Sequence, residues 1–360
     1  MEQVRYGIIG AGMMGLEHFR NLQALDGAVV TAVADPHPPS LEWARLSAGN
    51  DPLECFADAG ALLASGLVDA VVVSTPNMTH AEVLREVLAS PFPVLVEKPM
   101  CTTIADCREV IDAAEARDAI VWVGLEYRYM PPVARLIAEV GGGAAGNVRM
   151  VAIREHRFPF LPKVNDWNRF NRNTGGTLVE KCCHFFDLMN HIVGSPALRV
   201  FASGGADVNH RDERYDGETP DILDNAFVIV EYEGGVRASL DLCMFAEGSE
   251  HQEEISVVGD VGKVEAFLPS AELRVGRRRD WRAGVRSEVV HDDRVAHEGF
   301  HHGSSYLEHV DFLAAIRDGT TPAIGVSAGL ASVAVGVAAH RSIDEHRVVT
   351  LAEVLEEEYP

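Results

Sequence analysis

The stretch "VRYGIIGAGMMGLEHFRNLQAL", residues 4–25, constrains the fold more than any other part of the chain. An apolar run at Val4–Gly10 predicts a strand. Leu16, Phe19 and Leu22 then recur at helical spacing. Between strand and helix lies G-x-G-x-x-G, carried by Gly10, Gly12 and Gly15. The first glycine permits a tight turn, the second lets the backbone approach a pyrophosphate, and the third lets helix and strand pack closely. Phosphates would then meet the free N–H groups of the helix start, at Met13, Met14 and Gly15, where the dipole favours negative charge. A glycine motif alone is weak. Here a second strand follows, "AVVTAVAD", and ends in Asp35, about 20 residues past the last glycine, where a carboxylate accepts from adenosine ribose hydroxyls. Asp35 would repel a 2′-phosphate and no Arg follows it directly, so NAD is preferred to NADP.

Strand and helix keep alternating. "VDAVVVSTP" and "FPVLVEKP" are continuous apolar runs, as expected of strands covered on both faces. Helices are expected after each, the first with Thr79 as N-cap, and "AIVWVGLEY" is a further strand. This rhythm predicts an α/β fold, a Rossmann-type doubly wound parallel sheet, whose ligands lie beyond the carboxyl ends of its strands. Thr75, Pro76, Asn77 and His80 follow one such end. Glu97 and Lys98 form another. From spacing alone Lys98 stays open between a desolvated ammonium at the cofactor and a solvated surface lysine.

After Gly124 the rhythm changes. One helix, "MPPVARLIAEV", is followed mostly by strands, with hairpins at "YEGGVR" and "VVGDVGKVEAF", and two helices near Ser304–Arg317 and Val326–His340. The expectation is a dinucleotide-binding domain over residues 1–124. An α+β domain with a large open, mostly antiparallel sheet then spans residues 125–360.

The chemistry of the second part concentrates in "GGTLVEKCCHFFDLMNHIVG", Gly175–Gly194. Read as one helix, it puts Glu180, His184, Asp187 and His191 on one face, with Lys181 on a flank and Cys182 pointing largely away. Adjacent cysteines on a helix diverge, which disfavours both a Cys182–Cys183 disulfide and a Cys-Cys-His metal cage. Glu180 with His184 lacks the further ligands a catalytic zinc needs, so no metal is expected. His184 is either a core histidine satisfied by Asp187 or the backbone, or the proton acceptor that a dehydrogenase requires near neutral pH.

The formal charge of −23 disfavours nucleic acid and anionic lipid as partners. The one dense basic run, "GRRRDWR", reads as a solvated hairpin. No secretory leader is expected, no apolar run approaches a membrane span, and the six cysteines lack framework spacing. A cytoplasmic protein with free thiols is the expectation.

Taken in order, "GIIGAGMMG", "STPNMTH", "VEKP" and Gly-Gly…Glu180-x-x-x-His184-x-x-Asp187 resemble the Gfo/Idh/MocA family across almost the whole chain. The resemblance implies NAD(P)-dependent hydride transfer at a secondary hydroxyl of a sugar, cyclitol or related polyol, in a homodimer or homotetramer. It implies Lys98 and His184 as catalytic residues with Glu180 as their tuning partner. It also implies cofactor contacts from Gly10 to Gly15, Asp35, Thr75, Pro76, Asn77, His80, Glu97, Lys98 and Trp167. Substrate contacts are implied at Lys98, Arg128, Trp167, Arg169, Glu180 and His184. The family's helix often reads Asp-x-x-x-His; here Glu180 replaces the Asp, and Lys181-Cys182-Cys183 replace small or apolar residues. Two alternatives stay open: transient NAD oxidation that cleaves or epimerises a glycoside, and a non-catalytic NAD-binding sensor. His301 and His302 could reach the pocket or lie on the surface.

Overall fold

The computed structural model of the chain describes residues 3–356. The first six strands are β1 (Val4–Ile9), β2 (Ala28–Ala34), β3 (Glu54–Phe56), β4 (Ala70–Val73), β5 (Val94–Glu97) and β6 (Val121–Gly124). They form one parallel sheet in the order β3-β2-β1-β4-β5-β6. The helices between them are α1 (Met13–Gln23), α2 (Pro38–Ala48), α3 (Ala59–Leu63), α4 (His80–Leu88) and α5 (Ile104–Glu115). Every residue of β4, β5 and β6 is buried, because crossover helices cover both faces of a parallel sheet. The strand order reverses direction between β1 and β4, which places a switch point at the glycine motif. Thr79 stands at the N-cap of α4 as expected, but its side chain makes no capping bond. Its hydroxyl donates to the Pro76 carbonyl at 2.7 Å, closing a short 3₁₀ turn over Asn77–Thr79.

The later elements are α6 (Pro131–Gly141), β7 (Val148–His156), α7 (Asn171–Thr174), α8 (Thr177–Glu180), α9 (Cys183–Val193) and β8 (Ala197–Gly205). Strands β9 (Asn225–Tyr232), β10 (Arg237–Cys243), β11 (Glu253–Gly259), β12 (Gly262–Leu268), β13 (Glu272–Arg277) and β14 (Arg286–Val289) follow. The described chain closes with α10 (Ser304–Asp318), α11 (Val326–Glu345), β15 (Val349–Thr350) and α12 (Leu351–Glu356). Strands β7 to β15 make a mixed sheet in the order β14-β13-β12-β11-β7-β10-β9-β8-β15. Only β7 and β10 pair in parallel; the other neighbours are antiparallel. The expected hairpins are β9–β10, turned by Gly234 and Gly235 at positive φ, and β11–β12. Along β9 and β10 buried residues alternate with accessible ones, so one face of this sheet is core and the other is open.

The contacts divide the chain into two units. The first comprises the segment ending at Glu126, Lys163–Trp167 and Asp293–Leu330; the second comprises Tyr127–Pro162, Asn168–Asp292 and the segment from Ala331 on. A cut after Gly124 does not anticipate the return of Asp293–Leu330 to the parallel sheet. Long-range side-chain contacts hold that return. The Trp122 indole donates to Glu308 at 3.1 Å, and the Arg317 guanidinium donates to the Gly27 carbonyl at 3.2 Å. Among the described residues α11 alone is long and apolar enough to cross a membrane. Its apolarity matches burial in the fold, since Val333, Ala334, Val335, Ala338 and Ala339 are core residues.

Candidate functional site

In the first unit the three glycines differ as their chemistry requires. Gly10 has φ +95°, and a Cβ there would lie 2.7 Å from the Ser74 carbonyl and the Thr75 nitrogen. A Cβ on Gly15 would lie 2.0 Å from the Gly10 carbonyl oxygen, so helix and strand touch only because no side chain intervenes. Gly12, by contrast, has no heavy atom within 4 Å of its notional Cβ, and α1 begins there with no side-chain cap. The cradle is therefore rigid on two sides and open on the third. Open backbone at a helix start fits a pyrophosphate, with the Met13, Met14 and Gly15 N–H groups available to it.

Asp35 fixes the cradle. Its carboxylate accepts from the Ala11 nitrogen at 2.7 Å and from the His37 nitrogen at 2.7 Å. Two of its roughly four acceptor positions are thus used, and the rest suit ribose hydroxyls. At the end of β4, Thr75 Oγ1 and Asn77 Nδ2 are buried and have no hydrogen-bond partner in the structure. Buried polar atoms of this kind are uncommon and need an explanation; the hydroxyls and carboxamide of a dinucleotide can satisfy both. His80 plays another part. Its ring nitrogens lie 2.8 Å from the Pro99 carbonyl and 3.0 Å from the Thr75 carbonyl. It braces the ends of β4 and β5 from within the core, and burial pulls its pKa down.

Glu97 ends β5 in a buried polar chain. Its Oε1 meets His18 Nε2 at 2.8 Å, and its Oε2 accepts from the Lys98 backbone nitrogen at 3.1 Å. His18 Nδ1 in turn lies 2.8 Å from His309 Nε2 on α10. Burial pushes the Glu97 carboxyl up, but His18, Lys98 and His301 together hold it below the usual carboxylate range. His309 is held well below its ordinary value by burial and by His18. His301 reaches another buried acid of this unit, Glu126, at 3.6 Å. Half-buried Lys98 and Trp167 also belong to this unit.

The second unit carries the histidine helix, and here the single-helix reading needs correction. α8 stops at Glu180, α9 starts at Cys183, and Lys181-Cys182 form the junction. The Cys182 nitrogen reaches back five residues to the Thr177 carbonyl at 3.3 Å, in place of the usual four-residue bond. Gly175 and Gly176, both at positive φ, set up this start. A Cβ on Gly176 would lie 2.2 Å from His340 Nε2, the atom that accepts from the Leu178 nitrogen at 3.1 Å. His340 can accept because burial lowers its pKa to about 4.

The junction turns Lys181 inward rather than leaving it on a flank. Its ammonium donates to the Tyr127 hydroxyl at 2.7 Å and pairs with Glu155 at 3.0 Å. The Tyr127 ring stacks on His184, with centroids 3.9 Å apart and planes 11° from parallel. Glu155 on β7 lies directly across from Glu253 on β11, and both are buried. Burial and the Glu155 charge raise the Glu253 pKa to about 8, against smaller opposing contributions from Lys181 and Gln252. Glu180, Cys182, Cys183 and Asp187 are also buried, whereas His191 is exposed.

The two arginines expected at substrate are engaged inside this unit. Arg128 makes a two-pronged bond to Asp187, at 2.7 and 2.5 Å. Arg169 donates to Glu213 at 2.9 Å and to Asn168 at 3.2 Å. Among the described residues no three His, Cys, Asp or Glu side chains are grouped to hold a metal. His18, His309, Tyr127, Glu155 and Glu253 are absent from the sequence-based reading. His18 alone left a signal: it sits on the same α1 stripe as Gly15, Phe19 and Leu22, where a histidine is out of place.

Fold and cradle define a dinucleotide-binding protein, and comparison with known proteins makes it an oxidoreductase. The NAD-binding Rossmann-fold model of the Gfo/Idh/MocA oxidoreductase family matches residues 4–125, and the family's C-terminal α/β-domain model matches residues 138–351. The chain belongs to this family. It is 27% identical over 353 residues to myo-inositol 2-dehydrogenase of Thermotoga maritima, covering 98% of this chain and 100% of that one. It is 26% identical to inositol 2-dehydrogenase of Rhizobium meliloti, covering 97% and 99%. An oxidoreductase domain protein from Kribbella flavida superposes with a TM-score of 0.86 at 22% identity, covering 98% of this chain and 100% of that one.

Proposed function

We propose that the protein is an NAD-dependent dehydrogenase that oxidises a secondary hydroxyl of a cyclitol, sugar or related polyol. The observation that carries this reading lies in the first unit. An open glycine cradle, two orphaned polar atoms at the end of β4 and the Glu97–Lys98 strand end all lie at the carboxyl edge of one parallel sheet. The two full-length inositol dehydrogenase relatives supply the substrate class.

Gly10–Gly15, Thr75, Pro76, Asn77 and Asp35 would hold the cofactor, which when bound accepts the hydride. The Asp35 carboxylate, fixed by two backbone N–H groups, disfavours a 2′-phosphate and so selects NAD over NADP. His184 takes the hydroxyl proton, with Glu180, at the end of the preceding helix, as its tuning partner. Lys98 stabilises the developing alkoxide, a contribution of a few kcal/mol in a dry site. With Arg128 and Arg169 tied to Asp187 and Glu213, their part is to shape the pocket wall rather than to grip substrate. The open face of the mixed sheet exposes Met150, Phe201, Phe227 and Ile229, a surface suited to pairing with a second copy. A cytoplasmic location, where thiols stay reduced, belongs to the same reading.

The test is a panel of cyclitols, polyols and sugars with NAD, read at the NADH absorbance band. Net NADH formation supports the reading, and turnover without it favours transient oxidation. Lys98→Met and His184→Ala should fold and bind NADH yet lose about 10²–10⁴-fold in turnover. Wild-type rates in both would overturn the assignment.

A further inference from the structure

The Lys181-Cys182-Cys183 stretch before His184 has a structural consequence that the dehydrogenase reading leaves unused. A lysine is almost never buried without partners, and Lys181 is 4% exposed. Its ammonium lies against Glu155 and the Tyr127 hydroxyl, and the Tyr127 ring lies flat on His184. Phe185 packs beside them, with the ammonium 5.4 Å from its ring centre and its plane 72° from that of Tyr127. This cluster sits entirely within the second unit.

We propose that Lys181 and Tyr127 are positioning residues for His184: the stacked phenol ring holds the imidazole flat, and Lys181, acting through the phenol oxygen, sets how strongly that ring favours the protonated imidazole. The inference rests on reading His184 as the proton acceptor. An aromatic face attracts a cation through its quadrupole, so a ring stacked on imidazole stabilises the charged form that arises when the proton is taken. An ammonium donating to the phenol oxygen draws electron density out of the ring and weakens that attraction. Lys181 thus restrains the basicity that Tyr127 confers.

Within the second unit, these charged groups lie on the elements around His184. Asp187, on the same helix, is neutralised by Arg128, which follows Tyr127 in the chain. Glu180 ends α8. On β7, Glu155 carries the charge that balances Lys181, with Arg157 at 3.5 Å. Glu253 on β11 keeps its proton at neutral pH. Loss of Lys181 would leave Glu155 and Glu253 sharing that proton, which also raises the imidazole's affinity for a proton. Both effects have one sign.

The experiment titrates His184 directly in the full-length protein. Histidine is labelled with ¹³C at Cε1, the His184 signal is assigned by its loss in His184→Asn, and spectra are taken from pH 5 to 9. Lys181→Met should raise the midpoint by about half a pH unit and Tyr127→Leu should lower it by a similar amount. Tyr127→Phe should shift it upward, and adding Lys181→Met to Tyr127→Phe should shift it by less than Lys181→Met does alone, because only the charge effect through Glu155 and Glu253 then remains. An unchanged midpoint in Lys181→Met, or the same shift with and without the phenol oxygen, would overturn the proposal. If Lys181→Met does not fold, Tyr127→Phe decides alone: a wild-type midpoint there refutes it. The titration needs no turnover. A panel without polyol activity would therefore sink the dehydrogenase reading and leave this measurement independently readable.

Discussion

The two units each bury a cluster of ionisable groups, and they settle the cost in opposite ways. In the first unit Glu97 meets His18, and His18 meets His309, so one carboxylate is met by one imidazole that is itself held by a second. In the second unit Lys181 meets Glu155, which faces Glu253 across the sheet, so two carboxyls share one ammonium. Burying unmatched charge is expensive, and a group in that position neutralises instead. The first cluster balances by pairing and the second by keeping a proton. The Glu97 carboxyl, held below the usual carboxylate range, stays ionised near neutrality, whereas Glu253, raised to about 8, gives up its proton just above it. Of the two candidate catalytic residues, Lys98 adjoins the first kind and His184 the second.

The largest expected effect breaks the first kind. His18→Phe leaves the Glu97 carboxyl buried without its imidazole partner, and removing one partner of a buried pair costs about 3–5 kcal/mol. The sign with pH follows from Glu97. Its folded pKa is depressed, so the stabilisation it supplies is present above its unfolded value, about 4.3. That stabilisation is lost as pH falls toward the folded value. The penalty of His18→Phe should therefore be full at pH 7 and shrink in acid. Urea unfolding at both pH values measures it, and a penalty that does not depend on pH would show that His18 acts by packing alone.

Neither cluster was legible in the sequence, for a reason that the distances along the chain make plain. His18 lies 79 residues from Glu97 and 291 from His309. Periodicity reports which face of an element is buried, and the glycine motif reports local backbone geometry, so strand, turn and cradle could be read. Gly10, Gly12 and Gly15 describe one loop, and Asp35, at the end of the neighbouring strand β2, bonds that loop at Ala11, so most of the cradle lies within a short stretch of sequence. The helix break at Lys181-Cys182 was hidden because its cause lies elsewhere. A flank lysine is drawn inward by Glu155 on β7 and by Tyr127, neither of which leaves a mark on helical spacing. The return of α10 to the parallel sheet was hidden likewise, since its anchors Glu308, His309 and Arg317 find their partners only in three dimensions.

A smaller effect isolates the second kind. The folded pKa of Glu253 is raised to about 8, so between its unfolded value, about 4.3, and that pH the folded state binds more protons than the unfolded one. Stability should fall as pH rises through this window, and Glu253→Gln, which cannot ionise, should flatten the fall. Each kcal/mol recovered at pH 8.5 appears as about 2–4 °C in Tm. Thermal melts of both proteins at pH 5.5 and 8.5 measure it. Parallel curves would mean that Glu155, not Glu253, keeps the proton.

The smallest effect tests whether burial, rather than charge, separates these cases. Arg199 on β8 lies across from Glu231 on β9 at 2.6 Å, the same cross-strand relation in the same sheet as Glu155 and Glu253. It is an ion pair of opposite signs, so charge alone would rank it the more valuable. Its side chains are 57% and 37% exposed, however, and solvent screens pairs of that kind to about 0.5 kcal/mol or less. Arg199→Ala should accordingly leave chemical denaturation almost unmoved, while Glu253→Gln, which removes no ion pair at neutral pH, changes the pH dependence. A cost above about 1 kcal/mol that grows with protein concentration would place Arg199 out of water. The open face would then be covered by a second copy, and the contrast between exposed and buried pairs would have to be drawn again for the assembled protein.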